Sequence, residues 1–393
     1  MNTIINSLLE NDLYKFTMQQ LVLRKFPEVN VRYEFFNRGE TPFPEHFSEN
    51  VMDQVKAVGT LKFRQSELKY LSKSYPFLKK TYVEWLDSFS PDPDHVNISQ
   101  EKGDLKIIIE GPWYQTIYWE VPLMAIISEL YFSKNGIKPD KNFGVRAEEK
   151  ATFLKNANCT FADFGLRRRF SSTVQDEVVK NLSKHLKGPR DKGGFTGTSN
   201  VYLAHKYGLK SIGTMAHELP MVFSAIYGFQ SANEMLLKHW TEEFGGDLGI
   251  ALTDTFTTKV FLRDFDRKSA MLFDGLRQDS GSPEEFVDMV VDHYKKLGVN
   301  PNTKTVVFSD NLNPLRASEI NKYCEGKIKC SFGIGTNFTN DVGVKPLNMV
   351  IKATAAQKPN WPWTDVIKLS DTQGKITGDE STAKIAQKLL SIN

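Results

Sequence analysis

From about residue 145 onward, short apolar runs alternate with helical stretches, and this rhythm constrains the fold more than any other feature of the chain. The runs are Thr160–Ala162, Ser211–Thr214, Gly249–Leu252, Met271–Phe273 onward, Thr305–Phe308, Lys329–Phe332 and Met349–Ile351. Between them lie Thr173–His185, Ala232–Glu243, Pro283–Lys296 and Pro314–Tyr323, each with helical spacing. Strand and helix in turn predict a parallel sheet with crossover helices, and about seven or eight such strands approach what a (β/α)₈ barrel needs. The first third reads differently. Val29, Val31, Tyr33 and Phe35 alternate with polar neighbours, as in a half-buried strand. Helical patterns cover Pro44–Val58 and Ser66–Ser88, with Pro76 breaking the second. His95–Gln100 and Leu105–Glu110 flank Lys102-Gly103-Asp104 as a hairpin, and Val121–Ser133 reads as a buried helix. The expected division is a mixed α/β unit over residues 1–140 and an α/β barrel over 141–355. A C-terminal segment over 356–393 would pack back on the first unit.

The residues at the end of each run carry the chemistry. The runs end at Asp163, the pair Thr214/His217, Asp254, Asp279, Asp310 and Gly333-Ile-Gly335-Thr336. A barrel places its active site at the C-terminal ends of its strands and often binds phosphate in its last loops. The glycine-rich loop falls there, and it offers backbone N–H groups without bulky side chains. It lacks the Lys-Ser/Thr of a Walker A loop and the third glycine of a dinucleotide fingerprint. Any one of these aspartates could equally be a helix N-cap; their joint placement points to a site. Arg167-Arg168-Arg169 cannot share one direction, so only one or two can face the rim. Arg167 and Arg277 are the candidates to fork onto a carboxylate or phosphate, whereas Arg168 or Arg169 alone reads as part of a solvated turn. His217 in His-Glu-Leu-Pro has no second histidine at zincin spacing, which argues against zinc.

Composition narrows the field. With 50 Lys+Arg against 47 Asp+Glu the net charge is +3, too small to hold a polyanion or an acidic membrane face. Cys159, Cys324 and Cys330 are too few for a disulfide framework or a zinc site. No export signal opens the chain, and the apolar stretch Val121–Phe132 is interrupted by Glu129. The expectation is a soluble, cytoplasmic protein with no nucleic-acid or membrane partner; the Asn-X-Ser/Thr matches at Asn97, Asn158, Asn181 and Asn337 then read as chance.

Taken in order, eight segments resemble the nicotinate phosphoribosyltransferase family of the bacterial, ATP-coupled type. They are Asn11–Gln20, Ala162–Arg168, Phe195–Val201, Gly213–Glu218, Leu252–Phe256, Leu276–Pro283, Phe308–Asp310 and Phe332–Asn337. The resemblance runs to about residue 355. It implies an α/β N-terminal domain packed on an irregular TIM-like α/β barrel. It also implies transfer of phosphoribosyl from 5-phosphoribosyl 1-diphosphate to nicotinate, coupled to ATP through a phosphohistidine, for NAD salvage. By resemblance His217 is the phosphorylated histidine, and Tyr14 and Phe164 sandwich the pyridine ring. Arg277 and Arg167 would hold the carboxylate or phosphate oxygens. Gly335 and Thr336, with Arg38, would take the 5-phosphate, and Asp254 and Asp279 would face the ribose. Thr214 and Ser199 complete the substrate contacts, and Mg²⁺ would ride on the diphosphate, with no metal held by protein side chains alone. Family members place the Tyr14 segment near a neighbouring subunit, so monomer and homodimer both stay open.

The rivals are a nicotinamide-using relative on the same fold, quinolinate phosphoribosyltransferase and, remotely, a glycosidase barrel using two rim aspartates. The first carries an aspartate where this chain has Ser199, and an aspartate would repel a carboxylate substrate. Quinolinate would need a more basic pocket for its two carboxylates. The glycosidase leaves His217, the arginines and the glycine-rich loop without a purpose.

Overall fold

The computed structural model describes residues 3–372 and 374–392. Two sheets organise it. The first is antiparallel and contains β1 (Asn30–Asn37), β2 (Val96–Glu101), β3 (Asp104–Pro112) and two strands from the far end of the chain, β11 (Met349–Gln357) and β12 (Thr364–Asp365). Its order is β12-β11-β1-β3-β2. Val31, Tyr33 and Phe35 of β1 point into the core while their neighbours stay half-exposed, as period-two patterning requires. The hairpin β2–β3 turns at Lys102-Gly103, both at positive φ.

The second sheet is parallel and has seven strands: β4 (Thr160–Asp163), β5 (Gly194–Thr198), β6 (Lys210–Ser211), β7 (Ile250–Leu252), β8 (Gly275–Gln278), β9 (Thr305–Phe308) and β10 (Lys329–Ile334). Their order is β6-β5-β4-β10-β9-β8-β7. β6 and β7 are its two edges, yet the Thr214 hydroxyl, just past β6, donates to the Ile250 carbonyl of β7 at 2.7 Å. The sheet therefore curls until its edges nearly meet, without ladder bonds between them.

Three expectations change. The run Met349–Ile351 is not the last parallel strand: it pairs antiparallel with β1, in register from Asn30↔Gln357 to Asn37↔Met349. Met271–Leu272 end a short helix (Arg267–Leu272) capped by Asp266, and the strand starts only at Gly275. β5 is missing from the expected series because Gly-Phe-Thr-Gly-Thr has too little apolar content to show as a run. The helices are better matched. Pro283–Lys296 has the expected bounds, with Ser282 capping Glu285 N and proline in the first turn. The helices Gln65–Ser74 and Lys80–Ser88 flank Pro76.

The segment after Gln357 touches both units. Trp363 lies under the Arg32 guanidinium (4.7 Å) on the first sheet, while Leu369 N donates to Thr255 O on the parallel side. Among the described residues no helix is long and apolar enough to cross a membrane.

Candidate active site

The N-terminal segment is stitched onto the C-terminal end of β5. Asp12 bridges Asn200, and Leu13 N donates to Ser199 O at 3.0 Å. This opens the helix Leu13–Lys25 directly beside the rim and carries Tyr14 into a cavity of its own chain. The Thr17 hydroxyl donates to Thr214 O at 2.7 Å and Ala216 N donates to the Met18 sulfur at 3.2 Å, holding that helix across the gap between β6 and β7.

The cavity, about 440 Å³, opens between the two sheets. Of the expected residues, Tyr14, Phe164, Arg167, Ser199, His217, Arg277, Asp279, Gly335 and Thr336 line it. Phe164 follows β4, and its N–H donates to Ile334 O at 2.8 Å. Its ring lies over Gly333, where a Cβ would stand 2.3 Å from Phe164 Cδ2. The first glycine of the loop therefore makes room for the ring, while at Gly335 a Cβ would meet only the Phe164 carbonyl, at 3.4 Å.

Arg277 is anchored on one side only. One terminal nitrogen donates to Met215 O at 2.9 Å and the other is 3.8 Å from Asp279; Nε is buried and has no hydrogen-bond partner among the described residues. The Nε edge of the guanidinium is thus available to fork onto a planar anion. Arg167, in a single 3₁₀ turn (Leu166–Arg168), is 6.0 Å from the Tyr14 ring centroid and 3.3 Å from Glu120.

His217 sits where β6's loop enters the helix Glu218–Tyr227. Nδ1 is 2.9 Å from the Thr255 hydroxyl; Nε2 is 3.1 Å from Asp279 Oδ2 and 2.9 Å from Lys368 Nζ. The Lys368 ammonium can only donate and favours a lone pair on Nε2, whereas the ionised Asp279 carboxylate can only accept and favours a proton there, so the two contacts at Nε2 select opposite tautomers. Burial, reinforced by the Lys368 charge and opposed by Asp254 and Asp279, pushes the ring down to about 4. The ring is therefore neutral at physiological pH.

Two family models match the chain: the "Nicotinate phosphoribosyltransferase (NAPRTase) family" over residues 159–392 and its N-terminal domain over 9–128. A nicotinate phosphoribosyltransferase of Chromohalobacter salexigens is 46% identical over 99% of both chains. The chain belongs to the nicotinate phosphoribosyltransferase family. Among solved structures, the nicotinate phosphoribosyltransferase of Porphyromonas gingivalis superposes with a TM-score of 0.95 at 42% identity, covering 99% of this chain and 100% of its own. That of Vibrio cholerae gives 0.90 at 33%, covering 100% and 94%.

Within this nicotinate phosphoribosyltransferase-family site, three expected residues stand off the cavity wall. Asp254 is wholly buried behind His217, where it accepts from Ser280 (2.5 Å) and lies 3.0 Å from Lys368. Thr214 spends its hydroxyl on Ile250. Arg38 reaches Thr377 at 3.2 Å. At the rim, Asp163 is saturated by Gly165 N, Gln175 and Thr198, which makes it structural. Arg168 also lines the cavity, and Arg169 is not solvated: it is 1% exposed and paired with Glu10 at 2.5 Å. Arg167 and Arg168 of the 3₁₀ turn both reach the cavity, and only Arg169, just past it, turns inward.

Sequence reasoning missed Lys368 and Lys352. Both are lysines inside apolar runs, Val-Ile-Lys368-Leu and Met-Val-Ile-Lys352-Ala, and a cation in such a run needs a partner or a ligand. Lys352 lines the cavity, and burial pushes its ammonium down to about 8, with Glu120 opposing. Asp279 is held well below the usual carboxylate range: burial would raise it, but Arg277 and His217 outweigh that.

The His217 shift has a testable sign. An unfolded imidazole titrates near 6.5 and the folded one near 4. The unfolded chain therefore binds the extra proton first, and the stability at stake is present above pH 6.5 and lost as pH falls toward 4. Any reaction that needs the neutral ring should keep its rate from about pH 8 to below about 6. A single-turnover rate profile with an acid limb at 6.5 or above would show a water-exposed ring.

Proposed function

We propose that the protein joins nicotinate to 5-phosphoribosyl 1-diphosphate, giving nicotinate mononucleotide and diphosphate, and that it couples this transfer to ATP through phosphorylation of His217. The observation that carries the reading is one cavity holding an aromatic pair, an unpartnered guanidinium edge and a neutral imidazole. The pyridine ring lies between Tyr14 and Phe164, an arrangement suited to a flat heterocycle. Its carboxylate meets the Arg277 edge or Arg167, and Ser199 contributes a hydroxyl. The lone pair of the pyridine nitrogen bonds to C1 of the ribose as the C1–O bond to diphosphate breaks, and the bonding electrons leave with diphosphate. No base is required. Asp279, kept ionised, stabilises the cationic ribosyl transition state, and Asp254 acts from behind through Lys368 and His217. Gly335 and Thr336 take the 5-phosphate, in a part of the wall where no side chain intrudes.

In the coupling step, the Nε2 lone pair forms an N–P bond to the γ-phosphorus of ATP as the P–O bond to ADP breaks. This step uses the tautomer protonated on Nδ1, the one the Lys368 contact favours, and that proton remains against Thr255. Among the described residues no group of three or more His, Cys, Asp or Glu side chains is arranged to hold a metal. Mg²⁺ needs only one or two carboxylates beside phosphate oxygens and water, and Asp279, which lines the cavity beside His217, fits that demand. When bound there it would neutralise charge on the departing diphosphate.

A product assay tests the whole reading: nicotinate or nicotinamide with phosphoribosyl diphosphate, with and without ATP. Preference for nicotinamide, or no mononucleotide from either, overturns it. Arg277→Lys keeps the charge but loses the planar fork, and it should weaken nicotinate binding about tenfold while sparing phosphoribosyl diphosphate. Equal losses in calorimetric titrations would place Arg277 on the phosphate side.

A further inference from the structure

His217 is followed by Glu218, which also borders the cavity and whose carboxylate is bound by the N-terminal unit. It accepts three hydrogen bonds there: from Lys15 Nζ at 2.6 Å, the Tyr33 hydroxyl at 2.5 Å and Trp113 Nε1 at 2.6 Å. Lys15 is 1% exposed at its side chain and also lies 2.7 Å from Glu120, whose other oxygen is 3.3 Å from Arg167. Arg167 in turn lies beside the Tyr14 ring. An unbroken run of contacts, Arg167–Glu120–Lys15–Glu218, therefore connects the ring pocket to the residue next to His217.

Stability alone does not call for this arrangement. Burying a cation between two carboxylates costs desolvation that apolar packing of the same volume would avoid. What the network supplies is geometry. Glu120 is held at about 2, because Lys15 and then Arg167 outweigh the burial that would raise it. Both of its oxygens are engaged by cations, so a shift of Arg167 is felt at Lys15. The Glu218 end is equally constrained: all three donors come from the N-terminal unit, while its backbone opens the helix in which His217 O accepts from Met221 N (3.0 Å).

We propose that Lys15 is a positioning residue that ties occupation of the ring pocket to the orientation of the His217 imidazole. The proposal rests on the reading that nicotinate binds between Tyr14 and Phe164. A carboxylate drawn to Arg167 competes with Glu120 for the guanidinium. Glu120 then leans on Lys15, and the pull on Glu218 changes the angle at which Nε2 meets Asp279 and Lys368. Substrate against the rings thereby sets the imidazole elsewhere in the same cavity, by a route separate from the Arg277–Asp279–His217 contacts.

The test uses the full chain labelled with ¹⁵N at its 7 histidines, with the His217 ring signal assigned by its loss in His217→Asn. Nicotinate binding is measured in parallel by calorimetry. In the unaltered protein, saturating nicotinate should move the His217 ring signal. In Glu218→Gln, which keeps an acceptor for Tyr33 and Trp113 but drops the charge, nicotinate should still bind and the movement should shrink by about threefold or more. Lys15→Met should behave alike, and Lys15→Arg should restore most of the response. An undiminished response in both Glu218→Gln and Lys15→Met, or no response in the unaltered protein despite binding, overturns the coupling alone. No nicotinate binding to the unaltered protein overturns the functional reading and the coupling with it.

Discussion

Replacing His217 with alanine is expected to remove, by more than about a thousandfold, both the transfer of label from γ-labelled ATP to the protein and the hydrolysis of ATP. The label on the unaltered protein should be acid-labile and base-stable, as a phosphoramidate is. The variant should fold, because Lys368 keeps Asp254 at 3.0 Å and Asp279 keeps Arg277, so no buried charge is stranded. Mononucleotide formation should persist at a reduced rate, since Tyr14, Phe164, the arginines and the glycine-rich loop still orient the substrates. ATP should then neither raise the apparent affinity for substrates nor drive product accumulation. Undiminished labelling in His217→Ala would place the acceptor elsewhere.

Gly333→Ala should be the most damaging single methyl in the site. Its Cβ would fall 2.3 and 2.4 Å from two carbons of the Phe164 ring. The backbone cannot retreat, because Gly333 pairs with Ala162 in the middle of the β10–β4 ladder. Phe164 must swing into the cavity, with nicotinate binding weakened about a hundredfold and stability lowered by about 1–3 kcal/mol from overpacking. Gly335→Val makes the contrast. Its Cβ makes only an ordinary contact with the Phe164 carbonyl, so the melting temperature should hold while phosphoribosyl diphosphate binding disappears. Calorimetric titrations with both substrates and thermal melts separate the two glycines; identical profiles would defeat the assignment of one to the ring and the other to phosphate.

Those two positions also show how far the sequence is legible. The glycine-rich loop is visible as a site, but the division of labour inside it depends on where Phe164 lies after β4, which spacing does not report. The aspartates after the strands are visible as a rim, but not their depth: Asp163 is consumed by Gln175 and Thr198, and Asp254 is hidden behind His217. Periodicity marks β4, β7, β9 and β10 because their residues are apolar. It passes over β5, whose glycines and threonines carry no apolar signature. The allegiance of β11 is out of reach, since an apolar run looks the same whether its neighbour is parallel or antiparallel. Lys352 and Lys368 escape for a related reason: the groups they face, Glu120, His217 and Asp254, lie on the order of a hundred residues or more away in sequence.

The placement of β11 governs how this chain must be made. β1 bonds on one side to β3, completed by residue 112, and on the other to β11, whose register joins Asn30 to Gln357. During synthesis the ribosome releases the first sheet's helices and hairpin long before the strand that covers the open edge of β1. For most of translation that edge, with Val31, Tyr33 and Phe35 alternating along it, has no partner and is open to pairing with other nascent chains. The parallel sheet, by contrast, is complete once β10 emerges. The first sheet therefore cannot be completed until the whole second unit has been synthesised, because the strand that closes it arrives from beyond β10. Chains cut before residue 349 should expose that edge permanently and go to aggregates, however intact their active-site motifs.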